Sequence, residues 1–259
     1  MDVLIYVDEG VVERSRIETP RTLAAFLDPA RHTVRTIDRA HFCAPDWEDR
    51  TAALIMPGGR DLPYLAALSG EANERIRRFV EGGGAYIGFC AGAYYGAQRV
   101  EFDLGRPLEV VGERELGFFP GAAVGPAYGL GTFDYASDAG ARAAQIAWCA
   151  PGAPAQTMRV FYNGGCRFEG AEDDPAITVL ARYAELPGAP AAILSCRVGA
   201  GVAVLSGVHP EYSIHSFRGA SPELSAIHGA LSEHETSRQW LLAELFTRAR
   251  LTLKGDRCG

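Results

Sequence analysis

Residues 83–97 read GGAYIGFCAGAYYGA, and the fold follows from how this stretch is parsed. Ala85–Phe89 is short, apolar and aromatic, the composition of a buried strand. Gly88-Phe89-Cys90-Ala91-Gly92 follows without a spacer, then a run of small residues able to start a helix. This is the thiol form of the G-x-S-x-G elbow, a sharp strand-to-helix turn that presents its central side chain above a sheet. The glycines are required because the turn is tight and neighbouring backbones crowd it.

Two other loops repeat the strand-then-turn pattern. Upstream, residues 52–56 (AALIM) form a continuous apolar strand that runs into Pro57-Gly58-Gly59-Arg60-Asp61. Downstream, residues 202–205 form a strand that ends at Ser206-Gly207-Val208-His209-Pro210-Glu211. Parallel strands of one sheet open their carboxyl ends on a common edge, where sites gather. There Cys90 would be a nucleophile, His209 its base and Glu211 the group that orients the imidazole. The backbone N–H groups of Gly58, Gly59 and Ala91 would form an oxyanion hole. Taken singly, each has an ordinary reading: a buried free cysteine, a loop histidine, a turn after a strand. Their shared position after three strands favours chemistry.

The rest of the chain fits the same sheet. Residues 3–7 and Thr33–Ile37 read as strands, as do residues 177–182 and 192–196. Glu71–Glu81 reads as a helix with Ala72, Ile76, Phe79 and Val80 on one face, stopped by three glycines. A helix over residues 20–27 is expected, with Thr19 as its cap and Pro20 in the first position. Residues 107–154 are rich in Gly and Pro and predict loops or short antiparallel strands. Asn163-Gly164 predicts a hairpin over residues 160–168. A last amphipathic helix is expected over residues 233–250. Continuous apolar strands alternating with helices predict an α/β fold, a mostly parallel doubly wound sheet flanked by helices, with extra antiparallel strands. No linker or repeat interrupts the pattern, so one domain over residues 1–259 is expected.

Composition sets the outer limits. The chain has 259 residues, 47% of them hydrophobic, enough for a sizeable core. The formal net charge of −7 and the lack of a Lys/Arg cluster give no footprint for nucleic acid. No apolar run approaches the roughly 18 residues of a membrane span. The start, MDVLIYVDEG, has no basic region of the kind that opens an export signal, so a cytoplasmic location is expected. Six scattered cysteines (Cys43, Cys90, Cys149, Cys166, Cys196, Cys258) without a CxxC pair read as reduced thiols, not a zinc site or disulfide framework. The histidines show no metal-ligand spacing, and neither a metal nor a cofactor is expected.

PGGRDLPY (57–64), GGAYIGFCAGAYYG (83–96), GERELGFFPG (112–121), FYNGGCRFEG (161–170) and GVHPEYS (207–213) together resemble the N-terminal domain of eukaryotic biotin-protein ligases. That family lies within the class I glutamine amidotransferase-like superfamily. The resemblance spans most of residues 1–215. It implies a flavodoxin-like fold and a Cys-His-Glu triad at Cys90, His209 and Glu211. It does not extend to a ligase catalytic domain, since no Gly/Arg-rich adenylate-binding loop is found. It also departs from many glutamine amidotransferases at Tyr94, where they carry a Gln four residues after the nucleophile. A phenol cannot reproduce the paired donor and acceptor of an amide.

The first expectation is therefore amide hydrolysis or acyl transfer through a thioester, on a small-molecule amide or carboxamide. A synthetase partner would be expected if the ammonia is used. Arg60 and Asp61 are candidates for holding a substrate, or for a plain ion pair. Tyr94, Tyr128, Tyr162 and Asn163 are candidates for lining its pocket, or for packing. The alternative is a ligand-binding or regulatory module that keeps the fold without the catalysis. A peptidase or isomerase on the same scaffold is a third reading.

Overall fold

The computed structural model describes residues 1–152, 154–172, 174–217 and 221–255; Cys258 lies outside them. Five parallel strands lie at its centre: β1 (Asp2–Tyr6), β2 (Thr33–Ile37), β3 (Thr51–Met56), β4 (Ala85–Phe89) and β13 (Gly201–Ser206), in the order β2-β1-β3-β4-β13. Successive residues of a strand point to opposite faces, and both faces here are buried. Leu4, Tyr6, Leu54, Met56 and Tyr86 enter one core cluster, while Val3, Ile5, Ala53, Ile55 and Ile87 enter the other. This two-sided burial is why these strands are continuously apolar.

Helices cover both faces. α2 (Asp61–Leu68), α3 (Glu71–Glu81) and α4 (Ala91–Gly96) pack Tyr64, Ile76 and Tyr95 into the first cluster. α1 (Glu13–Phe26) and α6 (Glu235–Arg248) pack Leu23, Leu241 and Phe246 into the second. α5 (Pro222–Glu233) covers a smaller cluster with Leu224 and Leu231, against Phe161 and Tyr212. No helix among the described residues is long and apolar enough to cross a membrane.

Beyond β13 the sheet continues through antiparallel pairs. β12 (Ala191–Val198) pairs with β13, and β10 (Arg167–Glu169) joins β12 to β7 (Phe119–Gly125). β5 (Ala97–Phe102) runs parallel to β7, and β6 (Val110–Glu113) forms the edge. A branch leaves β12 through β11 (Ile177–Tyr183), β8 (Arg142–Trp148) and β9 (Gln156–Tyr162). The α/β class, the parallel centre and the antiparallel additions match the expectation from sequence.

Several local expectations fail. α1 begins at Glu13, and Pro20 sits inside it. Proline there removes the bond its own N–H would make to the Arg16 carbonyl, and its ring crowds that carbonyl. The helix start escaped notice because its buried face is largely polar (Ser15, Glu18, Thr19, Thr22), so it has little hydrophobic periodicity. The Asn163-Gly164 hairpin does not form. β9 pairs along its full length with β8, while β10 pairs with β7 and β12, so Asn-Gly here turns the chain from one branch of the sheet into another. The last expected helix does form, as α6, and α5 precedes it as a separate helix that ends at His234. α2 and β5 were not anticipated.

The elbow is packed backbone against backbone. A methyl group on Gly92 would lie 1.9 Å from the Met56 carbonyl oxygen, and one on Gly88 would lie 2.3 Å from the Gly92 carbonyl oxygen. Both obstacles are backbone, so neither can swing away. Gly229, within α5, has open space around its Cα. Gly92→Ala is expected to lower unfolding free energy by about 3 kcal/mol, the upper range for overpacking. Gly229→Ala should raise it by about 0.5–1 kcal/mol by removing a helix-interior glycine. Urea unfolding of the two variants checks the pair, and equal effects would refute the contrast.

Candidate active site

Three loops reach one place because three strands end in register. β13 and β4 align Ser206 with Phe89, and β4 and β3 align Gly88 with Met56. The chain after each strand therefore emerges on the same edge. Cross-bonds fix the loops: the Cys90 N–H donates to the Ser206 carbonyl at 2.8 Å, and the Gly92 N–H donates to the Pro57 carbonyl at 3.1 Å.

Cys90 has φ 50° and ψ −103°, a backbone shape that a side chain rarely adopts. This lifts the thiol off the strand and toward the third loop. Its Sγ donates to the Asn163 carbonyl at 3.7 Å, and the residue lines the same cavity as His209. The His209 Nδ1 meets Glu211 Oε1 at 2.7 Å, which leaves Nε2 for the sulfur. The imidazole is buried and stacks on Tyr212 with ring centroids 4.5 Å apart. A side chain on Gly58 would strike its Cε1 at 2.5 Å. Tyr212 is held in turn by Ser15, hydroxyl to hydroxyl at 2.5 Å, and the Thr22 hydroxyl donates to the Glu211 carbonyl at 2.8 Å. The polar buried face of α1 thus serves this loop. Arg238 of α6, ion-paired with Glu235, donates to the Pro210 carbonyl from the other side.

Burial acts to lower the His209 pKa, since it penalises the charged ring. The neighbouring Glu211 carboxylate and the hydrogen bonds to Cys90 and Glu211 outweigh it, and the net shift is upward from 6.5, to about 10. The imidazole is therefore biased toward its protonated form.

A cavity of about 240 Å³ opens over the thiol. Gly59 and Ala91 line it, and no acceptor among the described residues takes the N–H of either one. Gly58 does not line it: this residue backs the histidine, and its carbonyl accepts from the Val12 N–H at 3.3 Å. Asp61 is at the rim but is already paired with Arg114 at 2.7 Å. Arg60 lies over the Tyr135 ring, 4.1 Å from its centroid. Tyr94 lines the cavity, and its hydroxyl is committed to the Gly164 carbonyl at 3.1 Å. Asn163 lines the cavity.

Tyr128 and Tyr162 do not line it. Their rings pack 4.7 Å apart in the second core cluster, and their hydroxyls donate to Glu185 and to the Gly165 carbonyl. Aromatics beside glycines here are packing, as alternating strand geometry puts Tyr162 on the opposite face from Phe161. The sequence reading missed Arg14, Phe133, Tyr135, Asp138, Phe161 and Tyr212, all of which line the cavity. Only Tyr212, next to the His-Pro-Glu run, carried a local signal. No group of three or more His, Cys, Asp or Glu side chains among the described residues is placed to hold a metal ion.

Comparison with known proteins agrees with this architecture. Residues 1–257 match the family described as "Biotin-protein ligase, N terminal". An uncharacterized protein of Chlamydia muridarum is 42% identical over 211 residues, covering 81% of this chain and 80% of the relative. A biotin–protein ligase of Schizosaccharomyces pombe is 38% identical over 215 residues; the match covers 82% of this chain but only 34% of that ligase, about a third of its length. Among solved structures, a glutamine amidotransferase from Thermotoga maritima superposes with a TM-score of 0.57 at 11% identity, covering 96% of this chain and 97% of its own. That likeness is one of fold. With its sheet, its loops and its sequence all in agreement, the chain belongs to the biotin-protein ligase N-terminal family and has a glutamine amidotransferase-like fold.

Proposed function

We propose that this protein is a cysteine-dependent amidohydrolase or acyl transferase, with Cys90 as nucleophile. The observation that carries the reading is that Cys90 and His209 line one cavity while His209 Nδ1 meets the buried Glu211 carboxyl at 2.7 Å. In the first step the Cys90 proton is held on His209 Nε2, giving the protonated imidazole, and the sulfur adds to the amide carbonyl. The oxygen, now negative, is met by the N–H groups of Gly59 and Ala91. His209 returns the proton to the leaving nitrogen, the C–N bond breaks, and ammonia or an amine departs from a thioester. His209 then takes a proton from water, whose oxygen attacks the thioester. The C–S bond breaks, the carboxylic acid leaves and the thiol is restored. A second nucleophile in place of water gives acyl transfer. Glu211 acts through His209, as a positioning residue that holds the ring and balances its charge.

Cys90→Ala is expected to abolish covalent labelling by an amide-mimicking electrophile and any amide cleavage above background. Intact-protein mass spectrometry reads the first and product release the second; labelling or turnover persisting in this variant would exclude Cys90. A protein that only binds its ligand would bind it equally well with either residue at position 90 and cleave it with neither. Glu211→Gln should lower kcat by about 10²–10⁴-fold, as loss of the orienting charge does in comparable triads, with a smaller change in KM.

Stability should follow the same pair. A histidine whose folded pKa is raised contributes stability that is fully present below its unfolded value and is lost as pH rises through the folded value. The stability of the wild type relative to Glu211→Gln should thus be greatest near pH 6.5 and shrink toward pH 10. Urea unfolding across that range measures it. A difference that grows with pH would contradict the charged-imidazole assignment.

A further inference from the structure

The cavity has two unlike sides. One is the catalytic rim. The other is an apolar arm formed by Val100 and Phe102 of β5, Val110 of β6 and Phe133, beside the Tyr94 ring. Phe102 packs edge-on to both Tyr94 and Phe133, with centroids 5.7 Å away in each case. A substrate extending from the thiol in this direction meets hydrocarbon and ring carbon.

The charged groups of the cavity are already committed. Asp61 is bound to Arg114. Arg14 pairs with Asp138 at 3.5 Å and lies over the Phe161 and Phe217 rings, 5.6 Å from each centroid. Asp134 accepts from the Ala136 N–H and the Ser137 hydroxyl. The lining thus holds three carboxylates (Asp61, Asp134, Asp138) against one guanidinium, that of Arg14. Arg60 is occupied by Tyr135. Free glutamine carries an α-carboxylate, and placing it beside three acids when the one guanidinium of the lining is already paired with Asp138 is unfavourable. The Tyr94 hydroxyl, which donates to the Gly164 carbonyl, offers no replacement for a substrate-holding amide.

We propose that the cavity selects amides whose acyl group is apolar and carries no carboxylate, in place of glutamine. This rests on the Cys90 reading for its chemistry, but it concerns binding and is tested apart from turnover. The probes are 4-phenylbutanamide and L-glutamine, titrated by calorimetry into the Cys90→Ser protein, which retains the cavity. The expected result is at least tenfold tighter binding of 4-phenylbutanamide. Val110→Arg, on the edge strand, places a cation in the apolar arm and should narrow or reverse that ratio. A matched pair of chloromethyl ketones, 4-phenylbutanoyl and γ-glutamyl, provides a second measurement on the wild type, with the first expected to modify Cys90 faster. Glutamine binding as tightly as the apolar amide, or neither probe binding, overturns the specificity inference. Loss of Cys90-dependent labelling by both ketones, with the binding preference intact, overturns the catalytic reading and leaves this one standing.

Discussion

The close approach of α4 to the carboxyl end of β3 is the constraint on which the rest of the site depends. Gly92 has its Cα against the Met56 carbonyl and donates its N–H to Pro57. That contact seats the elbow helix across two strands and forces Cys90 into its unusual backbone shape. Each hydrogen bond in the arrangement contributes only about 1 kcal/mol net, but a buried donor left unpaired costs more. The loops therefore settle together or not at all. Strain at Cys90 is tolerated because its own N–H is bonded to Ser206 and the helix after it is locked by Gly92.

Around this contact the protein builds a polar interior that a purely apolar core would not allow. Glu211 is fully buried, and a buried carboxylate needs a partner of opposite charge or several donors. His209 is that partner, and the mutual stabilisation is what lifts the imidazole's pKa. α1 provides hydroxyls at Ser15 and Thr22, not leucines, to hold the Tyr212 and Glu211 positions. A helix that looks poorly amphipathic in sequence is well matched to a loop that needs hydrogen bonds.

On the proposed reading, the same economy separates the edge that would react from the wall that would select. The rim atoms belong to the loops after β3, β4 and β13, which the parallel centre holds rigidly. The apolar arm belongs to β5 and β6, in the antiparallel extension. One scaffold can thus hold the rim fixed while the shape and charge of the arm vary independently. Arg114, Arg14 and Arg60, which lie near the cavity, are engaged by Asp61, Asp138 and Tyr135 respectively.

From residues alone one can read the parallel centre, the elbow, and the meeting of the Cys90 and His209 loops at one edge, because these depend on local chemistry: continuous apolar strands, glycines at a crowded turn, and short motifs at strand ends. The helix over Glu71–Glu81 was legible for the same reason, since its apolar spacing and glycine stop are local. Other features required the folded chain. Proline inside α1 and the failure of Asn163-Gly164 to close a hairpin were decided by distant partners that outweighed local propensity. Likewise, whether Arg60, Asp61, Tyr94, Tyr128 and Tyr162 face a substrate or one another was set only when separate strands and loops met. A side chain's type limits what it can bind, but its neighbours in space determine whether that capacity is already used.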